Sequence, residues 1–402
     1  MTTTRESVVG PEHGQDQPDL HGTSPAMPRQ LDRTALLDRL VSVASTGLRL
    51  AYQPTRSTFP QTMRGLASPS GPTLHAEGAS PRYTAIAALG LQTLTVEQQR
   101  HVLSGATAVD LAEAMVDRAS GSADPGVLAL GAWVAAEVLA EYAQPLFDQL
   151  RRQLDEGASI PTVDLSWALT AAVAVAHLGP TEHLAARIGA LLLAEQTPAG
   201  VFPHLVPPST QHPLRRHIGC FADQVYPIQA LARWSQVGGG PAALAAANRA
   251  AAVITGQQGP EGQWWWHYDV RDGSVVERFP VYSVHQHAMG PMALRELHQA
   301  GGDDHQTSIE LGLGWLTRHP EVMQELISDR LSVIWRKVGR REPKKLVRAI
   351  SAGTTALRPG LHLPGLDRWF PPGVVDNECR PYELGWLLYV WGGERRSILE
   401  AT

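Results

Sequence analysis

Two stretches of the 402-residue chain concentrate groups able to bind or move protons: Tyr282-Ser-Val-His285-Gln-His287 and Arg380-Pro-Tyr382-Glu383. Each opens an apolar run. A third stretch, Trp265-Trp266-His267-Tyr268-Asp269, precedes the first, with Glu277-Arg278 between them. Histidine, tyrosine and carboxylate side chains act as general acids and bases, and arginine binds a carboxylate in a bidentate fork. Two histidines spaced i and i+2 on a helix point about 200° apart, so only one can face a common centre, and His285 is the expected one. Tyr282, one turn earlier, is a candidate proton donor. Glu383 and Asp269 are candidate acids or bases, and Arg278 and Arg380 candidate partners of a substrate carboxylate. Arg82, Tyr83, Trp167, Asp223, Tyr226, His287 and Tyr382, with Trp265, Trp266, His267 and Tyr268, complete an expected wall of aromatic and ionisable groups. The same groups could instead form a satisfied network that closes helix ends.

The elements that would position these residues are helical. Ala- and Leu-rich segments of helical period, bounded by Gly or Pro, run through the chain, and strand signals are nearly absent. A repeat organises them. Gln196-Thr-Pro198-Ala-Gly200-Val-Phe202 matches Gln258-Gly-Pro260-Glu-Gly262-Gln-Trp264 at an offset of 62 residues, which also pairs Gln224 with Gln286, Arg233 with Arg295, and Asp223 with His285. Trp264 therefore reads as a structural staple, and Trp265 to Asp269, which has no counterpart in the other copy, as the part free for function. Six helical hairpins follow: 33–52 with 82–95, 106–120 with 125–142, 144–155 with 162–178, 180–196 with 220–236, 240–257 with 281–299, and 305–318 with 378–391. Stacked hairpins bury their faces on one another and most simply close into a ring. The starts of the second helices would then share one mouth, to which their N-termini add partial positive charge.

The turn motif resembles the Q-x-x-x-G-x-W signature of the terpenoid cyclase and protein prenyltransferase toroids. The layout is similar to six-hairpin glycosidases, polysaccharide lyases and glucuronyl epimerase-type domains, and most similar to poorly characterised actinobacterial toroid proteins. The resemblance covers most of residues 35–392 and implies an all-α, α/α-toroid fold. It leaves the chemistry open. The D-x-D-D acid of a protonating cyclase and the D-D-x-x-D site of an ionising terpene synthase are both missing: Asp269 and Asp272 are spaced D-x-x-D, and Asp303-Asp304 runs into His-Gln-Thr. The first expectation is thus a carbohydrate- or glycan-modifying enzyme of lyase, hydrolase or epimerase type. The alternatives are a terpenoid or prenyl-substrate enzyme and a non-catalytic glycan-binding or polysaccharide-assembly protein.

No cofactor is expected. Zinc accepts the N and S ligands that Cys220, Cys379 and His287 would offer, but two separated cysteines are more often inert buried residues. Two cysteines also exclude a disulfide framework. A net charge of −5 gives no pull toward nucleic acid. Residues 1–30 read as a disordered tail, and the start lacks a basic region followed by an apolar one, so a cytoplasmic protein is expected. An insertion at about 319–376 interrupts the last hairpin. Its segment 330–348 carries eight basic residues with Leu331, Val333, Ile334, Trp335 and Val338, and reads as a basic amphipathic helix able to touch a membrane or polyanion. The proline-rich stretch after it reads as a rigid loop that could cover the cavity.

Overall fold

The computed structural model describes residues 32–69 and 71–401, so the expected tail at 1–30 lies outside the described residues. Twelve helices alternate between an outer and an inner layer. The outer ones are α1 (Arg33–Ala51), α3 (Ala108–Ser120), α5 (Gln144–Asp155), α7 (Glu182–Glu195), α9 (Gly240–Gly256) and α11 (Gln306–Arg318). The inner ones are α2 (Pro81–Leu91), α4 (Pro125–Val134), α6 (Thr162–Ala174), α8 (Ala222–Trp234), α10 (Gly290–Gln299) and α12 (Pro381–Ala401). Inner helices touch in the cyclic order α2, α4, α6, α8, α10, α12 and back to α2. This is an α/α toroid.

Closure of the ring depends on small residues at the seam between its first and last inner helices. A Cβ on Gly90 would sit 2.2 Å from the carbonyl oxygen of Gly385, and one on Gly385 2.8 Å from that of Ile86. Inner helices are buried on nearly all sides, as Leu128 to Trp133 and Ala230 to Ala232 show, and so read as apolar throughout rather than as amphipathic stripes.

The repeated turns have one job in both copies. Gln196 Nε2 donates to Gly200 O (2.9 Å) and to Ala246 O of α9 (2.8 Å), while Gln258 Nε2 donates to Gly262 O (2.9 Å) and to Ser308 O of α11 (2.9 Å). Each glutamine thereby ties its own turn to the next outer helix. Gln224 and Gln286 accept from the backbone N–H of Phe202 (2.8 Å) and Trp264 (3.3 Å). Trp264 is fully buried, its ring filling the space where Gly290 and Gly312 carry no side chain.

One end of the ring is plugged. Beyond a layer of Trp133, Trp386 and Tyr389 in mutual aromatic contact, Arg233 bonds Glu137 (2.6 Å), Glu296 and the Tyr389 hydroxyl (2.7 Å). The other end, where the inner helices begin, carries the loops.

The loops contain short strands that the helical periodicity did not announce. Ile218–Cys220 pairs with His267–Asp269, which pairs with Val275–Glu277, and Lys337–Arg340 lies between Val281–Tyr282 and Pro372–Asp376. Runs of two to five residues are too short to display a two-residue alternation. The basic segment 330–348 is accordingly not one amphipathic helix. It contains strands Val333–Ile334 and Lys337–Arg340 and a 3-10 turn at Pro343–Lys345, and an α-helix starts only at Leu346. Val333, Ile334, Trp335 and Val338 are buried against the toroid, because β-branched and aromatic residues in succession favour a covered strand over a helix with one wet face.

Candidate active site

A cavity of about 340 Å³ opens among the inner-helix N-termini, lined by Arg82, Tyr83 and Ile86 of α2, Val163 and Trp167 of α6, Ala222 and Tyr226 of α8, Trp266, Tyr282, His285, Met289, Arg336 and Tyr382. Eight of the residues expected from sequence meet here: Arg82, Tyr83, Trp167, Tyr226, Trp266, Tyr282, His285 and Tyr382. Trp167 and Tyr226 meet edge to face at 5.1 Å, Tyr83 and Tyr382 pack at 4.6 Å, and Trp266 meets Tyr282 at 5.5 Å.

The turn that leads into α10 has a local reason to present His285. Proline has no N–H, so Pro291 leaves the carbonyl of His287, four residues back, without its helical donor. That carbonyl accepts instead from Trp391 Nε1 (2.7 Å). The turn His285–Met289 widens into a π-helical turn, and such turns re-aim side chains. His285 lines the cavity, stacked on Phe221 at 4.3 Å and 5.0 Å from the Tyr282 ring. Burial pushes its pKa down to about 3, so the imidazole is neutral. Among the described residues its Nδ1 and the Trp167 Nε1 have no hydrogen-bond partner, and both belong to residues of the cavity wall.

Ionic groups stand in and just behind this wall. Arg82 holds the buried Asp164 through two bonds (2.7 and 2.9 Å) and also bonds Asp124, whose side chain caps α4. Asp223, fully buried, accepts from Cys220 N (2.7 Å) and lies 3.1 Å from His204 Nδ1. Arg380 donates to the Tyr83 hydroxyl (2.9 Å). Glu383, buried in the first turn of α12, has Arg336 Nε 3.4 Å from its Oε1. Burial raises the Glu383 pKa to about 7, against the pull of Arg336 and Arg380. Burial likewise pushes the Tyr282 hydroxyl up, with Arg336, whose guanidinium lies 4.9 Å from the ring centroid, pulling the other way.

Several expected residues are elsewhere. Asp269 is buried in a bidentate pair with Arg271 (2.9 and 2.7 Å), its strand turned toward helix Leu346–Leu357, whose Thr355 O also accepts from Arg271. That corrects its placement at the mouth: local pairing within the turn Asp269–Gly273 satisfies it. Trp265 donates to Gln257 O (2.7 Å) and packs on Phe279, Tyr268 is wholly buried, and Arg278 lines a separate cavity of about 200 Å³ with Glu277, Arg340 and Ser351. His267 stacks on Trp266 at 3.9 Å but bonds Glu277 (3.2 Å) behind the wall. His287 is buried away from the cavity. The alternative ligand set Cys220, Cys379 and His287 does not converge. Among the described residues, Cys220 gathers instead with His204 and Asp223.

Sequence reasoning missed Arg336, His204 and Asp164. Arg336 was hidden in the supposed amphipathic helix, although Val333-Ile-Trp-Arg-Lys-Val338 carries a strand composition. Asp164 had a signal that went unused. Asp164-Leu-Ser-Trp167, Asp223-Gln-Val-Tyr226 and Glu383-Leu-Gly-Trp386 repeat an acid three residues before an aromatic at three inner-helix starts, a spacing that puts both on one helical face.

No protein-family profile matches the chain, and no curated protein matches it in sequence. Solved structures do resemble it. The unsaturated glucuronyl hydrolase of Bacillus sp. GL1, described as responsible for glycosaminoglycan degradation, is 14% identical with a TM-score of 0.57, over 91% of this chain and 97% of that one. The shared feature is the toroid fold. UGL with dGlcA-Glc-Rha-Glc gives 0.56 at 13% identity over 91% and 97%. A possible member of the GH105 family from Salmonella enterica gives 0.54 at 10% identity over 92% and 97%.

Proposed function

We propose that this chain is a glycan-modifying enzyme that cleaves an acidic saccharide by acid-assisted hydrolysis at the toroid mouth. The observation that carries the reading is Glu383: a buried carboxyl group with a pKa raised to about 7, one layer behind the cavity wall and against Arg336, which lines it. A carboxyl group poised near neutral pH is suited to protonate a leaving oxygen. Arg336 presents a guanidinium group to a ligand carboxylate or sulfate, while Arg82 is paired with Asp164 and Asp124, and Trp167, Tyr226, Trp266 and Tyr282 offer faces on which pyranose rings pack. The cavity falls within the roughly 300–1,000 Å³ usual for small-ligand sites. The toroids it resembles include proteins named as glucuronyl hydrolases, which supports the same substrate class.

Tyr282 and His285 complete the reading as neutral groups that orient substrate hydroxyls: the tyrosine keeps its proton and the imidazole stays uncharged. A lyase or epimerase needs a strong base at a sugar C–H, which neither supplies in those states. The charged groups of the wall also disfavour a hydrocarbon substrate.

Purified protein incubated with uronate-containing oligosaccharides should release reducing ends, followed by chromatography of the products. Binding without release would point to a non-catalytic glycan receptor, and neither binding nor release would remove the reading.

A further inference from the structure

We propose that His204, Cys220 and Asp223 form a binding site for a divalent cation of the zinc type, at the edge of the toroid mouth. One ligand atom from each residue lies within 4.8 Å of the others. The ligand-to-ligand edges of a tetrahedral zinc site are roughly 3.3–3.8 Å, given metal–ligand bonds of about 2.0–2.3 Å. The His204 Nδ1 to Asp223 Oδ2 separation, 3.1 Å, is slightly shorter than such an edge, so assembly requires these two atoms to part a little and the Cys220 sulfur to swing inward by about an ångström.

The backbone around the site is fixed before any ion arrives. Cys220 ends the strand Ile218–Cys220, in register opposite His267, and its N–H holds Asp223 Oδ2 at 2.7 Å. Asp223 is in the first turn of α8. His204 follows the repeated turn that ends at Phe202, and its side chain is 47% exposed, which gives an ion a route from solvent. Thiolate, imidazole and carboxylate together select zinc or cobalt over magnesium and calcium, which prefer all-oxygen sets. Three protein ligands leave a fourth position open, the arrangement of a substrate-accessible ion rather than a closed structural one. Ala222 and Tyr226, on either side of Asp223 in sequence, line the cavity.

The site is independent of the glycan reading and is tested without an activity assay. The full chain is incubated with zinc chloride, gel-filtered, and its metal measured by mass spectrometry. One zinc per chain is expected. C220S and H204A should each weaken zinc affinity by on the order of 100-fold, while C379A retains it. Cobalt(II) loading should give a thiolate-to-cobalt charge-transfer band that C220S abolishes. H204A guards against misfolding, because His204 is half-exposed, and circular dichroism checks each variant. Zinc lost on gel filtration of the wild type, zinc retained undiminished in both C220S and H204A, or a cobalt spectrum without the thiolate band would each overturn the proposal.

Discussion

Arg336 Nε lies 3.4 Å from Glu383 Oε1. The two residues come from different parts of the chain: Arg336 joins two strands of the segment between α11 and α12, and Glu383 stands in the first turn of α12. The pair brings a fixed cation to a carboxyl group that burial alone would hold higher still. It also makes the inserted segment part of the cavity wall.

Replacing Glu383 by Gln keeps the shape and removes the transferable proton. Turnover should fall by about 10²–10⁴-fold with little change in substrate affinity. In the wild type, kcat should decline as pH rises through about 7, the value to which burial lifts this group. E383Q with wild-type turnover in an end-product assay would rule out the acid role.

Removing Arg336 acts through Glu383. Its charge lowers the carboxyl pKa, so R336M should move the alkaline limb of the pH profile upward. It should also raise KM for an anionic saccharide by about tenfold, the worth of one charge-assisted contact, with R336K recovering part of the loss. An unmoved limb in R336M would show that the two residues are not coupled.

Stability should carry the same signature. The folded-state pKa of Glu383 lies above its ordinary value of 4.5, so the native protein binds more protons than the unfolded chain between these values. This contribution is fully present below about pH 4.5 and is lost as pH rises through about 7. Urea unfolding of wild type and E383Q across pH 5–8 should show a decline in the wild type that the variant lacks.

The repeated turn should be sensitive at Gly262. Its φ is +98°, and an added Cβ would lie 2.0 Å from Leu311 O. Gly262→Ala should therefore cost more than the ~1–2 kcal/mol of a left-handed backbone alone. Trp264→Ala, which empties a fully buried site, should cost about 3–5 kcal/mol. Thermal melts would measure both, and a loss below about 1 kcal/mol in either would contradict the staple.

Asp269→Asn separates sequence expectation from structure. Asp269 is paired with Arg271 outside the cavity, so kcat should stay within about twofold of wild type, while stability falls by roughly 1–3 kcal/mol for the lost charged bond. A large loss of turnover in a folded D269N protein would return this residue to the reaction.

Much of the scaffold was legible in the chain. The 62-residue offset located Gln196 and Gln258, and their side chains make the same two bonds in both copies. Helical period and glycine or proline boundaries placed the hairpins, because a helix of ten or more residues repeats its pattern several times. The aromatic half of the cavity was legible for the same reason, since Tyr83, Trp167, Tyr226 and Tyr382 each sit at the start of an inner helix.

The ionic half was legible only in part: Arg82 and Glu383 were expected from sequence, but Arg336 and the pairings between charges were not. Whether a carboxylate at a helix start faces a cavity or a neighbour depends on which side chain reaches it, and those partners are distant in sequence. Asp269 found Arg271 two residues away and was neutralised locally, while Glu383 met Arg336 from an inserted strand too short to show a period. Sequence alone determined the periodic parts of this protein: the toroid, its staples and the helix starts that share a mouth. Tertiary structure decided which charges meet there, because a pKa and a metal-ligand set are properties of distances between side chains, and burial sets their strength.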